Sequence, residues 1–64
     1  YRRLSPREQE VFALLARGYK PRDIARELHI SPKTADVHRY NILKKMRLSS
    51  IADLVRDAVD IGIV

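Results

Sequence analysis

The sequence predicts an all-α domain of four helices, at about residues 6–17, 21–28, 32–46 and 51–61. Within each segment the apolar residues recur at spacings of three and four, which is the period of an amphipathic helix. All three prolines stand at predicted first helical positions, where the missing N–H of proline costs nothing. Both glycines follow predicted helix ends, where glycine is common.

The length and composition of the chain restrict its class. Sixty-four residues allow one domain with a modest core, and an apolar share of 45% is too high for a disordered tail. The chain has no cysteine, which excludes a disulfide framework and a thiolate zinc site. No apolar run approaches the roughly 20 residues of a membrane span, and no signal-peptide pattern is present. We therefore expect no membrane association.

The first helix is predicted from a capping box. Ser5 can accept a hydrogen bond from the amide of Glu8, and the Glu8 carboxylate can accept one from the amide of Ser5. The apolar residues that follow mark one buried face, and Gly18 ends the helix. Residues 1–3 precede this pattern and are interpreted as a linker remnant, so that the domain comprises residues 4–64.

Two helices joined by a three-residue connection follow. The second begins at Pro21, and residues 29–31 lead directly into the third, whose predicted N-cap is Ser31. Two short helices in this arrangement are typical of a helix-turn-helix. His29 stands where the turn needs a left-handed backbone, which His tolerates better than most residues other than glycine. Ile30 is expected to fill the angle between the two helices.

The third helix has two different faces. The inner stripe, expected to face the core, consists of Ala35, His38, Ile42 and Met46. The opposite stripe, which we call the outer face, consists of Lys33, Asp36, Val37, Tyr40 and Lys44. A helix that only had to be soluble could carry lysine and glutamate there. A mixture of donors, acceptors and methyl groups beside cations is instead what reading the edges of DNA bases requires.

The fourth helix is predicted to begin after Ser50, a suitable N-cap, with Asp53 near the positive end of the helix dipole. Its apolar residues cover an arc of roughly 180°, whereas one-sided packing against a core needs roughly 100°. The surplus makes Ala52, Val55 and Val59 candidates for contact with a second partner.

The positive charge of the chain is unevenly distributed. The net charge is +5. Residues 1–22 carry six cations and two acids, and residues 31–48 carry five cations and one acid, whereas residues 49–64 carry one cation and three acids. Polarised basic charge favours a polyanion as partner. On charge alone, an ordinary solvated surface is an equal alternative.

Four segments resemble the LuxR-type (GerE-like) helix-turn-helix domain of bacterial transcription regulators. They are LSPREQEVFALLARG at 4–18, DIARELHIS at 23–31, KTADVHRYNILKKM at 33–46 and ADLVRDA at 52–58. The resemblance implies sequence-specific binding to double-stranded DNA, as the output domain of a cytoplasmic regulator such as a response regulator of a two-component system. It also implies a homodimer on DNA through the fourth helix, with RNA polymerase as a further potential partner.

The chain departs from the family pattern at several positions. Lys20-Pro21 stands where the family usually has Ser or Thr followed by Asn, so the second helix lacks a hydroxyl cap. Charge from Lys20 and Arg22 must then contribute more to any phosphate contact. Asp36 replaces a usual Lys or Glu, and Arg47 replaces a usual Gly in the last turn of the third helix.

The candidate site residues form three groups. Asp36, Val37 and Tyr40 are the predicted base contacts, because aspartate can accept from a cytosine amino group and valine can pack on a thymine methyl group. The predicted contacts to the DNA backbone, from the residues and from the resemblance together, are Lys20, Arg22, Ser31, Lys33, Thr34, Lys44 and Lys45. The predicted dimer interface consists of Ala52, Val55 and Val59.

Other interpretations of these residues stay open. Asp36 could form a local ion pair with Lys33 or Arg39, which lie one turn away on the same helix. Tyr40 could cap the edge of the core, and each cation could be an ordinary surface charge. For the whole domain, one alternative is a promoter-binding domain like region 4 of sigma factors. Another is an adaptor whose helix-turn-helix binds a protein instead of DNA.

No catalytic or metal site is indicated by the sequence. His29 and His38 are the only histidines, and neither has a cysteine or a carboxylate pair at ligand spacing. His38 is instead expected to be buried and hydrogen-bonded. Because there is no set of nucleophile, base and orienting residue, and no glycine-rich phosphate loop, we expect neither enzyme activity nor a cofactor.

Overall fold

The computed structural model describes residues 2–63, which form four α-helices and no strand. The helices are α1 (Pro6–Ala16), α2 (Pro21–Leu28), α3 (Pro32–Lys45) and α4 (Ile51–Asp60). The predicted all-α fold with a helix-turn-helix is therefore confirmed. None of the helices in this part of the chain is long and apolar enough to span a membrane.

Three predicted helix ends were one residue too long. Arg17, Met46 and Ile61 were assigned to helices but are the C-caps that follow them, with ψ values near 0°. The next residue in each case has a positive φ, which turns the chain away from the helix axis. The residue after that donates its amide to a carbonyl in the last turn of the helix, as in the 2.8 Å hydrogen bond from the Leu48 amide to the Leu43 carbonyl.

The helix starts agree with the predicted caps. Ser5 and Glu8 form the reciprocal capping box, at 3.2 Å and 2.9 Å. Ser31 accepts from the amide of Thr34 at 3.0 Å, and Ser50 caps α4 in the same way. Lys20 precedes α2 but gives it no side-chain cap, as the departure from the family pattern predicts.

The turn between α2 and α3 also agrees with its prediction. His29 has a left-handed backbone, with φ 56° and ψ 44°. The amide of Ile30 then donates to the carbonyl of Ala25 at 2.9 Å, and the Ile30 side chain packs against the core. Arg47, the other non-glycine residue with positive φ among those described, has φ 56°. A left-handed backbone strains a side-chain-bearing residue by about 1 kcal/mol, which explains why glycine is usual there.

The core is organised around α1. This helix packs against each of the other three, and α2 packs against α3. The largest fully buried side chains come from all four helices; they are Val11, Phe12, Ile24, Ile42 and Leu54. Each such side chain contributes roughly 1.5–3 kcal/mol when it leaves water. With α1 covering its inner stripe, α3 presents its outer face to solvent.

Candidate nucleic-acid interface

The inner stripe of α3 is only partly as predicted. Ala35 and Ile42 are buried, whereas His38 and Met46 are half-buried. The expectation that His38 is buried and hydrogen-bonded is wrong, since its side chain is half-buried and forms no side-chain hydrogen bond with any residue in 2–63. The same part of the chain holds no group of three or more His, Cys, Asp or Glu residues that could bind a metal ion.

The outer face of α3 is exposed along its whole length. Val37 is 49% exposed and Tyr40 is 60% exposed, although both are large side chains with apolar surface. Tyr40 therefore does not cap the edge of the core, which was the alternative interpretation. Lys33, Asp36 and Lys44 are exposed on the same face. Methyl groups, a phenol, a carboxylate and two ammonium groups thus face solvent together on one side of α3.

Asp36 forms the local ion pair that the sequence left open, and its partner is Arg39. Nε of Arg39 donates to Oδ1 of Asp36 at 2.9 Å, and Nη2 lies 2.8 Å from the same oxygen. Both side chains are accessible, at 56% exposed for Asp36 and 33% for Arg39. The pair therefore lies on the surface beside Val37 and Tyr40, and it occupies only one of the two carboxylate oxygens.

Polar groups gather at the N-terminal ends of α2 and α3. Lys20 and Arg22 are exposed beside the first amides of α2, which have no side-chain cap, and a shallow cleft opens there. Ser31 and Thr34 are exposed at the start of α3, and the Ser31 hydroxyl donates to the Thr34 hydroxyl at 2.9 Å. The positive end of a helix dipole attracts anions, and adjacent cations strengthen that attraction.

The two lysines at the end of α3 point to different surroundings. Lys44 is exposed on the outer face and has no ion-pair partner among the described residues. Lys45 donates to Oε1 of Glu8 in α1 at 2.7 Å. The Glu8 side chain is only 6% exposed, whereas that of Lys45 is 45% exposed. The structure thus gives Lys45 a structural partner that the sequence analysis missed.

The partners of the buried Glu8 carboxylate favour its charged form. The Lys45 ammonium and the Ser5 amide, which donate to the Glu8 carboxylate, lower the pKa of Glu8 against the opposing effect of burial. A sequence signal for this was present. Glu8 lies three, four and seven residues before Val11, Phe12 and Leu15, and therefore on their buried face. An acid on an apolar stripe indicates a partner elsewhere in the fold.

The predicted dimer face of α4 is accessible. Ala52 is exposed, Val55 is half-buried, and Val59 is 56% exposed. Ile61 and Ile63, which follow the helix, are also exposed, at 45% and 36%, and neither was among the predicted interface residues. The surface agrees with the wide apolar arc read from the sequence.

A basic cleft lies at the C-terminal end of α3. Arg2, Arg3, Lys45 and Arg47 line it together with Met46 and Asp57. Arg2 and Arg3 are exposed in a turn, and their assignment to a linker stays a prediction. Tyr1, in the predicted linker, and Val64, in the predicted domain, lie outside the described residues.

Comparison with known proteins identifies related chains. The model of the family described as bacterial regulatory proteins, luxR family, matches residues 2–58. The response regulator protein TodT of Pseudomonas putida is 54% identical over 56 residues, which cover 88% of this chain and 25% of TodT. The transcriptional regulatory protein FixJ of Bradyrhizobium diazoefficiens is 44% identical over 61 residues, covering 95% of this chain and 30% of FixJ.

A third relative is more distant in sequence. The tetrathionate response regulatory protein TtrR of Salmonella typhimurium is 39% identical over 56 residues, covering 88% of this chain and 27% of TtrR. The chain therefore spans between a quarter and a third of the length of these curated relatives. The similarity concerns one domain of each.

Proposed function

The chain belongs to the luxR family of bacterial regulatory proteins and is a DNA-binding domain of a transcription regulator, and we propose that α3 reads its target sequence in the major groove. The observation that carries this proposal is the exposed outer face of α3. A large valine and a tyrosine there remain in water, beside a carboxylate and lysines, with no neighbouring element to cover them. Such a face suits the donors, acceptors and methyl groups of base edges.

Affinity and specificity are assigned to different residues. Lys20, Arg22, Lys33 and Lys44 neutralise phosphates and release counterions, which supplies most of the affinity. Ser31 and Thr34 add hydroxyl contacts to the backbone at the start of α3. Asp36, Val37 and Tyr40 supply the base contacts. Lys45 also contacts the DNA backbone in this proposal, although its ion pair with Glu8 makes it the weakest of these contacts.

We further propose that two copies bind DNA together through α4. The exposed apolar surface of Ala52, Val55 and Val59, continued by Ile61, supports this pairing. A whole regulator containing this domain would act in the cytoplasm, in response to a signal received by another domain, and could contact RNA polymerase once on DNA. It would act by binding and not by catalysis.

The first test is selection of bound duplexes from a randomised DNA pool at two salt concentrations. We expect enrichment of an inverted repeat whose half-sites lie about one helical turn apart. We also expect binding to weaken steeply as salt rises, with a slope that reflects the number of phosphates neutralised. Weak, salt-insensitive binding with no enriched sequence would contradict the proposal and favour an adaptor that binds protein.

The dimer is tested by placing a charge on the α4 surface. Val59→Asp changes a side chain that is mostly exposed, so the fold is retained, and Val55→Asp tests the centre of the same surface. We expect both variants to lose cooperative binding to paired half-sites while binding a single half-site normally. Arg56→Asp, an exposed change on the same helix, is the control. Intact cooperativity in both valine variants would show that the interface lies elsewhere.

A further inference from the structure

Asp36 presents one oxygen to Arg39 and the other to solvent. Oδ1 of Asp36 accepts from Nε of Arg39 at 2.9 Å and lies 2.8 Å from Nη2, so two nitrogens of the guanidinium contact the same oxygen. Among residues 2–63, no hydrogen-bond donor reaches Oδ2. We propose that Arg39 is a positioning residue that holds Asp36 so that Oδ2 accepts from a cytosine amino group in the major groove, an inference that rests on the proposed function.

Stability does not explain this pair. Both side chains are accessible and lie three positions apart on one helix, and such exposed pairs contribute little to folding. A carboxylate on a face that meets DNA also brings a negative charge close to phosphates, which repel it. The guanidinium beside it offsets that charge. Its two contacts also restrict the side chain before DNA arrives, so less ordering is needed on binding.

The free oxygen determines which base it can accept from. An ionised carboxylate has acceptors only. In the major groove, guanine offers the acceptors N7 and O6, and thymine offers O4 and a methyl group, so neither supplies a proton. Adenine offers an amino group but places the acceptor N7 beside it. Cytosine offers an amino group without that neighbour, and it is therefore the base that a fixed Asp36 selects.

A different arrangement would produce the same half-site. Arginine commonly reads guanine, and guanine is the partner of cytosine, so a C·G preference by itself does not identify the reader. The two arrangements differ in what happens when Asp36 is replaced. If Arg39 acts only through Asp36, replacing it has no further effect on base preference once Asp36 is asparagine. If Arg39 reads guanine directly, its replacement keeps its full effect.

The experiment is a double-mutant cycle read out as base preference. Wild type, Arg39→Lys, Asp36→Asn and the double variant are each measured on the selected duplex and on three duplexes changed at the candidate C·G pair. Lysine keeps the charge at position 39 but has a single side-chain nitrogen, so it cannot contact one oxygen with two nitrogens. The control is Arg7→Lys, since Arg7 and Glu10 form an exposed pair with the same three-residue spacing in α1.

We expect Arg39→Lys to lose about tenfold in discrimination at that base pair while its salt dependence stays that of wild type. Asp36→Asn should exchange the cytosine preference for adenine, which asparagine recognises with two hydrogen bonds. The double variant should have the same base preference as Asp36→Asn, and Arg7→Lys should have the base preference of wild type. Rescue of discrimination is not expected from any cation that lacks the guanidinium fork.

Several outcomes would overturn the inference, and they differ from a failure of the proposed function. Wild-type discrimination in Arg39→Lys, or an undiminished effect of Arg39→Lys in the Asp36→Asn background, would overturn the positioning role while leaving DNA binding intact. A wild-type chain that enriches no duplex would overturn the proposed function, and this inference would fall with it.

Discussion

Glu8 and Asp36 each accept a charge-assisted hydrogen bond from a basic residue of α3, but the two pairs differ in reach and exposure. Glu8 joins Lys45 across 37 positions of sequence, and its side chain is 6% exposed. Asp36 joins Arg39 within one helical turn, and its side chain is 56% exposed. Glu8 also accepts from the Ser5 amide, so its capping role and its tertiary role coincide on one carboxylate.

The difference shows how surroundings decide what an ion pair does. A carboxylate removed from water must keep its partners, because an unpaired buried charge is strongly unfavourable. The Glu8 pair therefore fixes the end of α3 against the start of α1. A carboxylate that stays in water loses little when its partner is removed. Changes to the Asp36–Arg39 pair can thus alter binding while hardly changing the free energy of unfolding.

The largest expected effect is that of Glu8→Gln. Glutamine can still accept from the Ser5 amide but loses the charge that Lys45 pairs with. We expect the free energy of unfolding to fall by about 2 kcal/mol, as for loss of a buried hydrogen bond to a charged group. Urea denaturation measures it. The control Glu10→Gln removes an exposed carboxylate 3.9 Å from Arg7 and should change stability by less than about 0.5 kcal/mol. Equal losses of unfolding free energy in Glu8→Gln and Glu10→Gln would contradict the claim that burial makes the Glu8 pair more stabilising than an exposed one.

The adjacent lysines of α3 provide a second test. Lys45→Met leaves the buried Glu8 carboxylate with the Ser5 amide as its remaining partner, and we expect a loss of about 2 kcal/mol in unfolding free energy, comparable to that of Glu8→Gln. Lys44→Met should leave stability nearly unchanged. On DNA the order reverses: Lys44→Met should reduce the slope of log affinity against log salt by about one. A larger salt-slope change for Lys45→Met than for Lys44→Met would make Lys45 the stronger phosphate contact of the two.

Acid should weaken the fold through Glu8. Because the pKa of Glu8 is lower in the folded than in the unfolded chain, stability is complete above the ordinary pKa of about 4.3 and declines as pH falls through the lowered value. Unfolding free energies measured between pH 6 and pH 3 should show this decline and a smaller one in Glu8→Gln.

Asp53 contributes separately to the same pH range. The Ser49 hydroxyl donates to its carboxylate at 2.6 Å and lowers its pKa. Asp53→Asn is therefore the companion variant, and the double variant with Glu8→Gln should show a smaller decline than either single variant. An acid response in Glu8→Gln identical to that of wild type would assign the effect to other carboxylates.

The smallest effect on stability is expected from Asp36→Asn. The exposed pair with Arg39 contributes only a few tenths of a kcal/mol, so the urea midpoint should hardly move. Its DNA base preference should nevertheless change. A loss of more than about 1 kcal/mol in the free energy of unfolding would mean that the Asp36–Arg39 pair stabilises the fold, and it would remove the contrast with Glu8.

Most of the fold could be predicted because its signals are local. Serine caps, prolines at first helical positions and the left-handed turn at His29 involve residues within five positions of one another. The exposure of Val37 and Tyr40 followed from the same helical period that buried Ala35 and Ile42. Three of the four helix ends were missed by one residue, because a C-cap shares the last hydrogen bonds of the helix that it closes.

The partner of Glu8 was decided by tertiary structure, whereas the partner of Asp36 was decided within one helix. Helical spacing offered Asp36 two cations, Lys33 and Arg39, and the geometry of the folded helix selected Arg39. Lys45 was assigned to DNA as a cation near the end of α3 and from the family resemblance; only the packing of α1 against α3 brings Glu8 to it. Caps and periodicity act within one helix and can be read from one segment. A contact across 37 positions exists only after the helices have packed.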